Sequence, residues 1–468
     1  MRYTWLAVAA MAGVAMGELT QLPVDVKINA DFGNYDGHQV WRLDWTHLSH
    51  DEQEGIIDAM ELLNLDIWRK TPTTLDVHLE PSILPLLSRF IPPHLSFQPF
   101  IHDLGPLTSV KASMSASSSW DVGSLDSSFH DGYHTLDDII TFGDALAAGF
   151  DGLDGLHVES FVLNQTTEEG RDIRGWKAWI EPESSAVAGK KGRKGRKDAE
   201  QEDDVELEFV VQSGQHAREW VGPSAALYWF HSLLVAASRD PESHEAQLLR
   251  SFTFTVIPTI NPDGYVYSHE HSRLWRKNRQ DTGSPICRGI DLNSNWGYRW
   301  RKAKASPCSD AYSGDHAIQA YEVSAMADFL ALTNSSRPGK TRRVKAFVDL
   351  HSYGQLFMFP FAYSCDDFPA DAEMLMEAGL GVAKAMRQGH GEGYQAGQAC
   401  DLTYRAPGDA IDHAYGLVDA RWSYSAELRD TGTYGFLLPP SLIRPAAEEI
   451  TAGLVYLAKF IYLAEVNP

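Results

Sequence analysis

The spacing of hydrophobic positions changes repeatedly along the chain. Gln39 to Trp45 alternates, with Trp41, Leu43 and Trp45 on one side, which predicts a half-buried strand. Ser49 and Glu52 make a capping-box pattern, and Ile56, Ile57, Met60 and Leu63 follow at helical spacing. Leu75 to Leu79 alternates again. Ser82 to Ile91 predicts a short helix that tolerates Pro85 in its first turn. Residues 18–108 therefore read as a small α+β unit. Six of the eleven residues in 109–119 are Ser, which predicts an exposed linker.

From Trp120 to Pro468 strands and helices interleave. Strands are predicted at Glu206–Ser213, Phe252–Thr259, Val344–Leu350, Gln355–Pro360 and Trp422–Leu428. Helices are predicted at Pro223–Ala237, Asp371–Arg387 and Ala446–Glu465. Such interleaving predicts an α/β sheet covered on both faces, with its chemistry at the carboxyl ends of strands.

Composition narrows the function. The chain has 468 residues, 44% of them hydrophobic and 22% charged, which excludes global disorder, collagen and coiled coil. A net charge of −23 argues against nucleic acid and anionic membrane as partners. No apolar run reaches the ~18 to 20 residues of a membrane span. Residues 1–17 read as a secretory signal: Arg2 is the basic start, Trp5 to Val14 the apolar stretch, and Ala15-Met16-Gly17 the small-x-small end. A secreted or vacuolar protein, expected to be a monomer, makes Cys287, Cys308, Cys365 and Cys400 candidates for two disulfides, and four Cys allow three pairings. It also makes Asn164 and Asn334 candidate glycosylation sites. Lys190 to Lys197 holds six basic residues in eight, and Asp198 to Glu208 seven acids in eleven. That pattern predicts a solvated loop, with a nicked or partner-binding loop as the functional alternative.

Three short segments carry chemistry. Gln215-His216-Ala217-Arg218-Glu219-Trp220 follows a strand and sets a His and an acid three residues apart. Asp349-Leu350-His351-Ser352 ends a buried strand on a His. Ala426-Glu427-Leu428-Arg429-Asp430 ends another on a carboxylate. Each is weak alone. Together, two His and one carboxylate leave a fourth zinc position open for water, and a further carboxylate can serve as general base.

The segments HAREW, NPDGY, RLWRKNR, GIDLNSNWG, DLHSYGQ and AELRDTGTYGFLLP resemble the zinc metallocarboxypeptidases of the carboxypeptidase A type, in that family's order. GHQVWRL and LDIWR, within 33–104, resemble the family's inhibitory activation segment. The resemblance implies a mixed, largely parallel sheet sandwiched by helices (120–468), preceded by an open-sandwich prodomain (18–108). It implies one zinc per chain on His216, Glu219 and His351, Glu427 as general base and Arg276 as oxyanion stabiliser. It implies substrate contacts from Arg218, Asn293, Tyr404 and Ile411, and disulfides Cys287–Cys308 and Cys365–Cys400. Peptide C-termini would be the partners, with the prodomain as inhibitor. An apolar Ile411 at the pocket floor suits aromatic and large aliphatic C-terminal residues, although Asp409 and Asp412 flank it. One position departs from the family. Asn293-Ser294-Asn295-Trp296 has Ser where the pattern Asn-Arg-Asn-Trp carries the main cation for the substrate carboxylate. The expectation is a secreted zinc carboxypeptidase made as a zymogen. The alternative is an impaired, carboxypeptidase-like pseudo-enzyme with a binding or cell-wall role.

Overall fold

A computed structural model describes residues 34–108 (apart from 50, 51, 54, 58, 59, 61, 62, 64 and 84–94), 120–181, and 205–466 (apart from 336, 338 and 339). The expected signal at 1–17, the linker at 109–119, the basic loop at 190–197 and nearly all of the helix at 82–91 lie outside the described residues.

Two sheets organise the chain. The first has four antiparallel strands, β1 (Gln39–Asp44), β2 (Asp66–Lys70), β3 (Thr74–Leu79) and β4 (Ser96–Ile101), in the order β2-β3-β1-β4. Leu43, Trp45, Met60, Leu75, Val77 and Leu79 form its own small core, with Trp41 packed beside them. The Ser49–Glu52 capping box is present, with Ser49 N donating to Glu52 Oε2 at 2.9 Å. The opposite side is not solvated. Val40, Trp68 and Ile101 share a second apolar cluster with Leu274, Tyr353, Phe436 and Leu437 of the larger unit. Period-2 alternation locates a strand but cannot tell water from a docked partner.

The second sheet has eight strands in the order β11-β10-β12-β9-β7-β8-β6-β5. They are β5 (Leu156–Thr166), β6 (Asp172–Ile180), β7 (Val205–Ser213), β8 (Thr253–Ile257), β9 (Thr341–Ser352), β10 (Leu356–Phe359), β11 (Gln395–Gln398) and β12 (Trp422–Leu428). The pairs β7–β8, β7–β9, β9–β12 and β10–β11 are parallel, and the remaining pairs antiparallel. Central strands buried on both faces read as continuous apolar runs, which is why β9 and β12 are legible in the sequence.

Helices α1 (Leu136–Phe150), α2 (Val221–Arg239), α3 (His244–Ser251), α4 (Pro262–Glu270), α5 (Tyr321–Ala331), α6 (Ala372–His390), α7 (Ala410–Gly416) and α8 (Ile443–Ile461) cover the sheet. Residues of α1, α2, α6 and α8 pack with alternate sheet residues in one large core, and those of α5 and α7 in another. The disulfides pair Cys287 with Cys308 and Cys365 with Cys400.

One buried ion pair ties α8 to the end of β12. Arg429 Nε donates to Glu449 Oε2 at 2.8 Å, a second Arg429 N–H donates to Oε1, and Tyr394 Oη donates to Oε2 at 3.1 Å. Glu449 is fully buried. Removing one partner strands a buried charge, at a cost of ~3 kcal/mol or more. Glu449→Leu should therefore lower the free energy of unfolding by about that amount in a urea titration. A change within ~0.5 kcal/mol would show that the pair contributes nothing net.

A candidate metal centre at three adjacent strand ends

The sheet order sets β12, β9 and β7 side by side, with their carboxyl ends together. The β9–β12 register places His351 opposite Glu427. His216 follows β7 in a turn that requires Gly214, whose φ is +68° and whose Cβ would meet Pro258 O and Thr259 Cα at 3.1 Å. The three segments singled out by sequence therefore meet at one point.

His216, Glu219 and His351 are buried, and one ligand atom from each lies within 4.8 Å of the others. His216 Nδ1 sits 2.8 Å from Glu219 Oε1, and His351 Nδ1 sits 3.0 Å from Glu219 Oε2 and 3.1 Å from His216 Nδ1. The outer nitrogens are committed elsewhere. His216 Nε2 donates to Asp291 Oδ1 at 3.1 Å, and His351 Nε2 to Asp349 Oδ2 at 2.8 Å. A carboxylate on each Nε2 fixes the tautomer with its Nδ1 lone pair turned inward, as in metal-bound histidines. Two inward lone pairs and a carboxylate need a positive charge between them. The electrostatics agree. Burial would lower the His351 pKa, but Asp349 and Glu219 outweigh it and raise it well above the ordinary value. Burial would raise Glu219, but His216 and His351 hold it low. The donor set is consistent with zinc.

Glu427 stands beside this cluster with Oε2 unpartnered. Burial pushes its carboxyl up to about 8, against the pull of His351. Arg276 Nη2 donates to Asp291 Oδ2 at 3.1 Å, and Ser294 Oγ donates to the same oxygen at 2.8 Å. Ser294 is thus turned toward the buried Asp291. Asn293 Nδ2 donates to Asp409 Oδ2 at 3.0 Å, and its Oδ1 accepts from Ala410 N at 2.9 Å. Ile411 is fully buried in α7. Asp412 accepts from Ala362 N at 2.9 Å and Tyr363 N at 2.8 Å, a structural use.

The small sheet reaches this region through β2. Arg218 Nη1 donates to Asp66 Oδ1 and Oδ2 at 2.9 and 3.0 Å, with Asp310 3.6 Å away. Trp68 packs edge-on to Phe436 at 4.9 Å between centroids, and Arg69 Nη1 donates to Thr431 O at 3.3 Å. Lys70 Nζ lies 4.7 Å from the Tyr404 ring centroid, and Tyr404 is 40% exposed. Asn164, on β5, donates to Asp328 at 3.0 Å, and Asn334 bridges Thr341; both are exposed.

A family model described as zinc carboxypeptidase matches residues 160–453. The chain belongs to the zinc carboxypeptidase family. Among its relatives, the inactive metallocarboxypeptidase ECM14 of Paracoccidioides brasiliensis is 33% identical over 451 residues, covering 90% of this chain and 72% of that one. The protein of the same name from Talaromyces marneffei is 32% identical over 448 residues, covering 88% and 70%. Among solved structures, thrombin activatable fibrinolysis inhibitor superposes with a TM-score of 0.71 at 25% identity, covering 90% of this chain and 98% of that one. Carboxypeptidase A from Helicoverpa armigera superposes at 0.74 with 24% identity, covering 92% and 99%, which shows the fold.

The relatives correct one expectation. A working secreted carboxypeptidase was the first reading of the sequence, and proteins matching about nine-tenths of the chain are named inactive metallocarboxypeptidases. The zinc carboxypeptidase frame and the candidate ligands stand, whereas the enzyme reading gives way to its alternative. This chain keeps Glu427 and has Ser294 where the resemblance expects a cation.

Sequence reasoning passed over three functional groups: Asp66, Asp291 and Asp310. Asp291 carries a local signal, because it opens the Asp-Leu-Asn-Ser stretch two residues before Asn293. Asp66 and Asp310 meet Arg218 only through the tertiary fold. Asp66→Asn would leave the buried Arg218 guanidinium facing a neutral amide, which should weaken docking of the small sheet by about 2 kcal/mol. Calorimetry between residues 18–108 and the rest of the chain, cut in 109–119, should show a Kd raised ~30-fold. An unchanged Kd would contradict the role given to this pair.

Proposed function

We propose that the chain is a zinc-holding binding protein on the carboxypeptidase frame, whose turnover is impaired where a peptide's C-terminal carboxylate has to be seated. One observation carries this reading: residue 294 is Ser, and its hydroxyl turns to Asp291. A guanidinium at such a place supplies a charge-assisted, bidentate contact worth ~1.5 to 3 kcal/mol. A serine hydroxyl supplies no charge.

The cluster fits a zinc ion, with Nδ1 of His216, Nδ1 of His351 and the Glu219 carboxylate as ligands. Bound there, zinc supplies positive charge against a peptide carbonyl. The remaining work is done by side chains. Asp291 and Asp349 hold the imidazoles. Glu427, with a free oxygen, can hold a proton at the cleft. Arg276 is held by Asp291. A contact that acts alike in ground and transition states is lost chiefly as affinity.

Residues 18–108 are proposed to be the cleft's internal cover, joined through 109–119. Support comes from Asp66 on Arg218, Trp68 on Phe436 and Lys70 on Tyr404. Arg218, Asn293, Tyr404 and Ile411 are proposed to line the site for a peptide end. Two disulfides suit an oxidising, extracellular or vacuolar setting, and exposed Asn164 and Asn334 suit glycan acceptors. Among the described residues no helix is long and apolar enough to cross a membrane.

Linker-cut protein should retain one zinc, and His351→Ala should lose most of it by metal analysis. Product masses from peptides with free C-termini should show no sustained release of the last residue. Full zinc in His351→Ala would overturn the ligand assignment, and multiple turnovers by the wild type would overturn the impaired reading.

A further inference from the structure

The positions that would meet a terminal carboxylate are surrounded by acids. Asn293 Nδ2 is committed to Asp409 Oδ2 at 3.0 Å. Its Oδ1 accepts from Ala410 N at 2.9 Å and Gln215 Nε2 at 3.2 Å. Ser294 Oγ is committed to Asp291. Asp409 is 8% exposed, and its other oxygen accepts from Ile411 N at 3.0 Å. Among the described residues no Lys, Arg or His forms an ion pair with it, while His351 and Asp349 act on it electrostatically in opposite senses. The backbone brings the two sites together: a Cβ on Gly408 would meet Ser294 O at 2.6 Å, and Trp296 N donates to Gly408 O at 2.9 Å.

We propose that Asp409 is a specificity-determining residue which, with Ser294, turns the carboxylate subsite into one that refuses a free C-terminal carboxylate and receives a neutral or cationic group. The ligand class is a peptide presenting an amidated end or a Lys or Arg side chain there. This rests on the reading of the cleft as a binding site. Two effects add. Asp409 takes one of the two Nδ2 hydrogens of Asn293, leaving a single donor for a carboxylate. Its own charge, in a poorly solvated place, repels a second carboxylate and attracts a cation. The missing cation and the added acid act on one subsite, so neither restores it alone. An Arg at position 294 would emerge beside Asp291 and be drawn to it. Substitutions in one such network are coupled rather than additive.

The test uses the full chain, cut in 109–119 and zinc-loaded, at pH 8, where Asp409 is ionised, burial having pushed it up to about 7. The probe is one fluorescent hexapeptide ending in Lys, as free acid and as amide. Wild type should bind the amide more tightly by ~10-fold. Asp409→Asn keeps a helix-capping side chain for α7 while removing the charge, and should shrink that ratio ~10-fold. Ser294→Arg alone should shift it little. Asp409→Asn with Ser294→Arg should favour the acid by more than the product of the single effects. Circular dichroism and zinc content guard against misfolding. If wild type binds both forms and Asp409→Asn leaves their ratio unchanged, the inference falls and the binding reading stands. If wild type binds neither form, both fall.

Discussion

Two imidazole nitrogens 3.1 Å apart, facing one carboxylate in a buried space, impose the constraint on which this molecule is built. Like lone pairs cannot share such a space without a positive charge among them. The surroundings are arranged to keep them there. Asp291 and Asp349 take the outer nitrogens, and Gln215 donates to Asp349 Oδ2 while its own carbonyl oxygen accepts from Trp296 Nε1 at 3.0 Å. Asn261 caps α4 and also donates to Gln215 O at 2.9 Å. The candidate ligands thus stand on a strand end and a turn, with the cap of α4 braced against that turn, which gives the rigidity a metal site requires.

The same acids that organise the metal cluster shape its cleft. Asp291 holds Arg276 and Ser294, Asp409 holds Asn293, and Asp310 lies near Arg218 alongside Asp66. Arg276, Asn293 and Arg218 are therefore engaged by acids of the chain itself. Glu427 is retained while residue 294 is Ser. The two lie on different elements, β12 and the 291–296 segment, so one can change without disturbing the other.

The strands that carry the site were legible because central parallel strands are apolar on both faces, and because His351 and Glu427 interrupt those runs at their ends. The α/β frame was readable for the same reason, and the small α+β unit from the period-2 alternation of β1 and β3. The β5–β6 hairpin was not read, since a register shift between Val162 and Thr166 breaks the alternation. The strands β2 and β4 escaped because β2 bulges between Ile67 and Arg69 and β4 contains Pro99. The motif resemblance picked out the candidate ligands, and three-dimensional contacts alone revealed which acids hold them. The expected peptidase activity is corrected by relatives named inactive metallocarboxypeptidases, because motif matching weighs the metal and base residues, which this chain keeps.

The central claim is that the His216–Glu219–His351 cluster is completed by a divalent cation and contributes to folding only when it is. Unfolding in denaturant, followed with chelator and with zinc at about 100 times its Kd, tests this directly. Binding to the native state alone should raise the free energy of unfolding by about 2.7 kcal/mol, and chelator should reverse the gain. Identical transitions with and without zinc would contradict the account, because the inward lone pairs would then be balanced by something other than a metal.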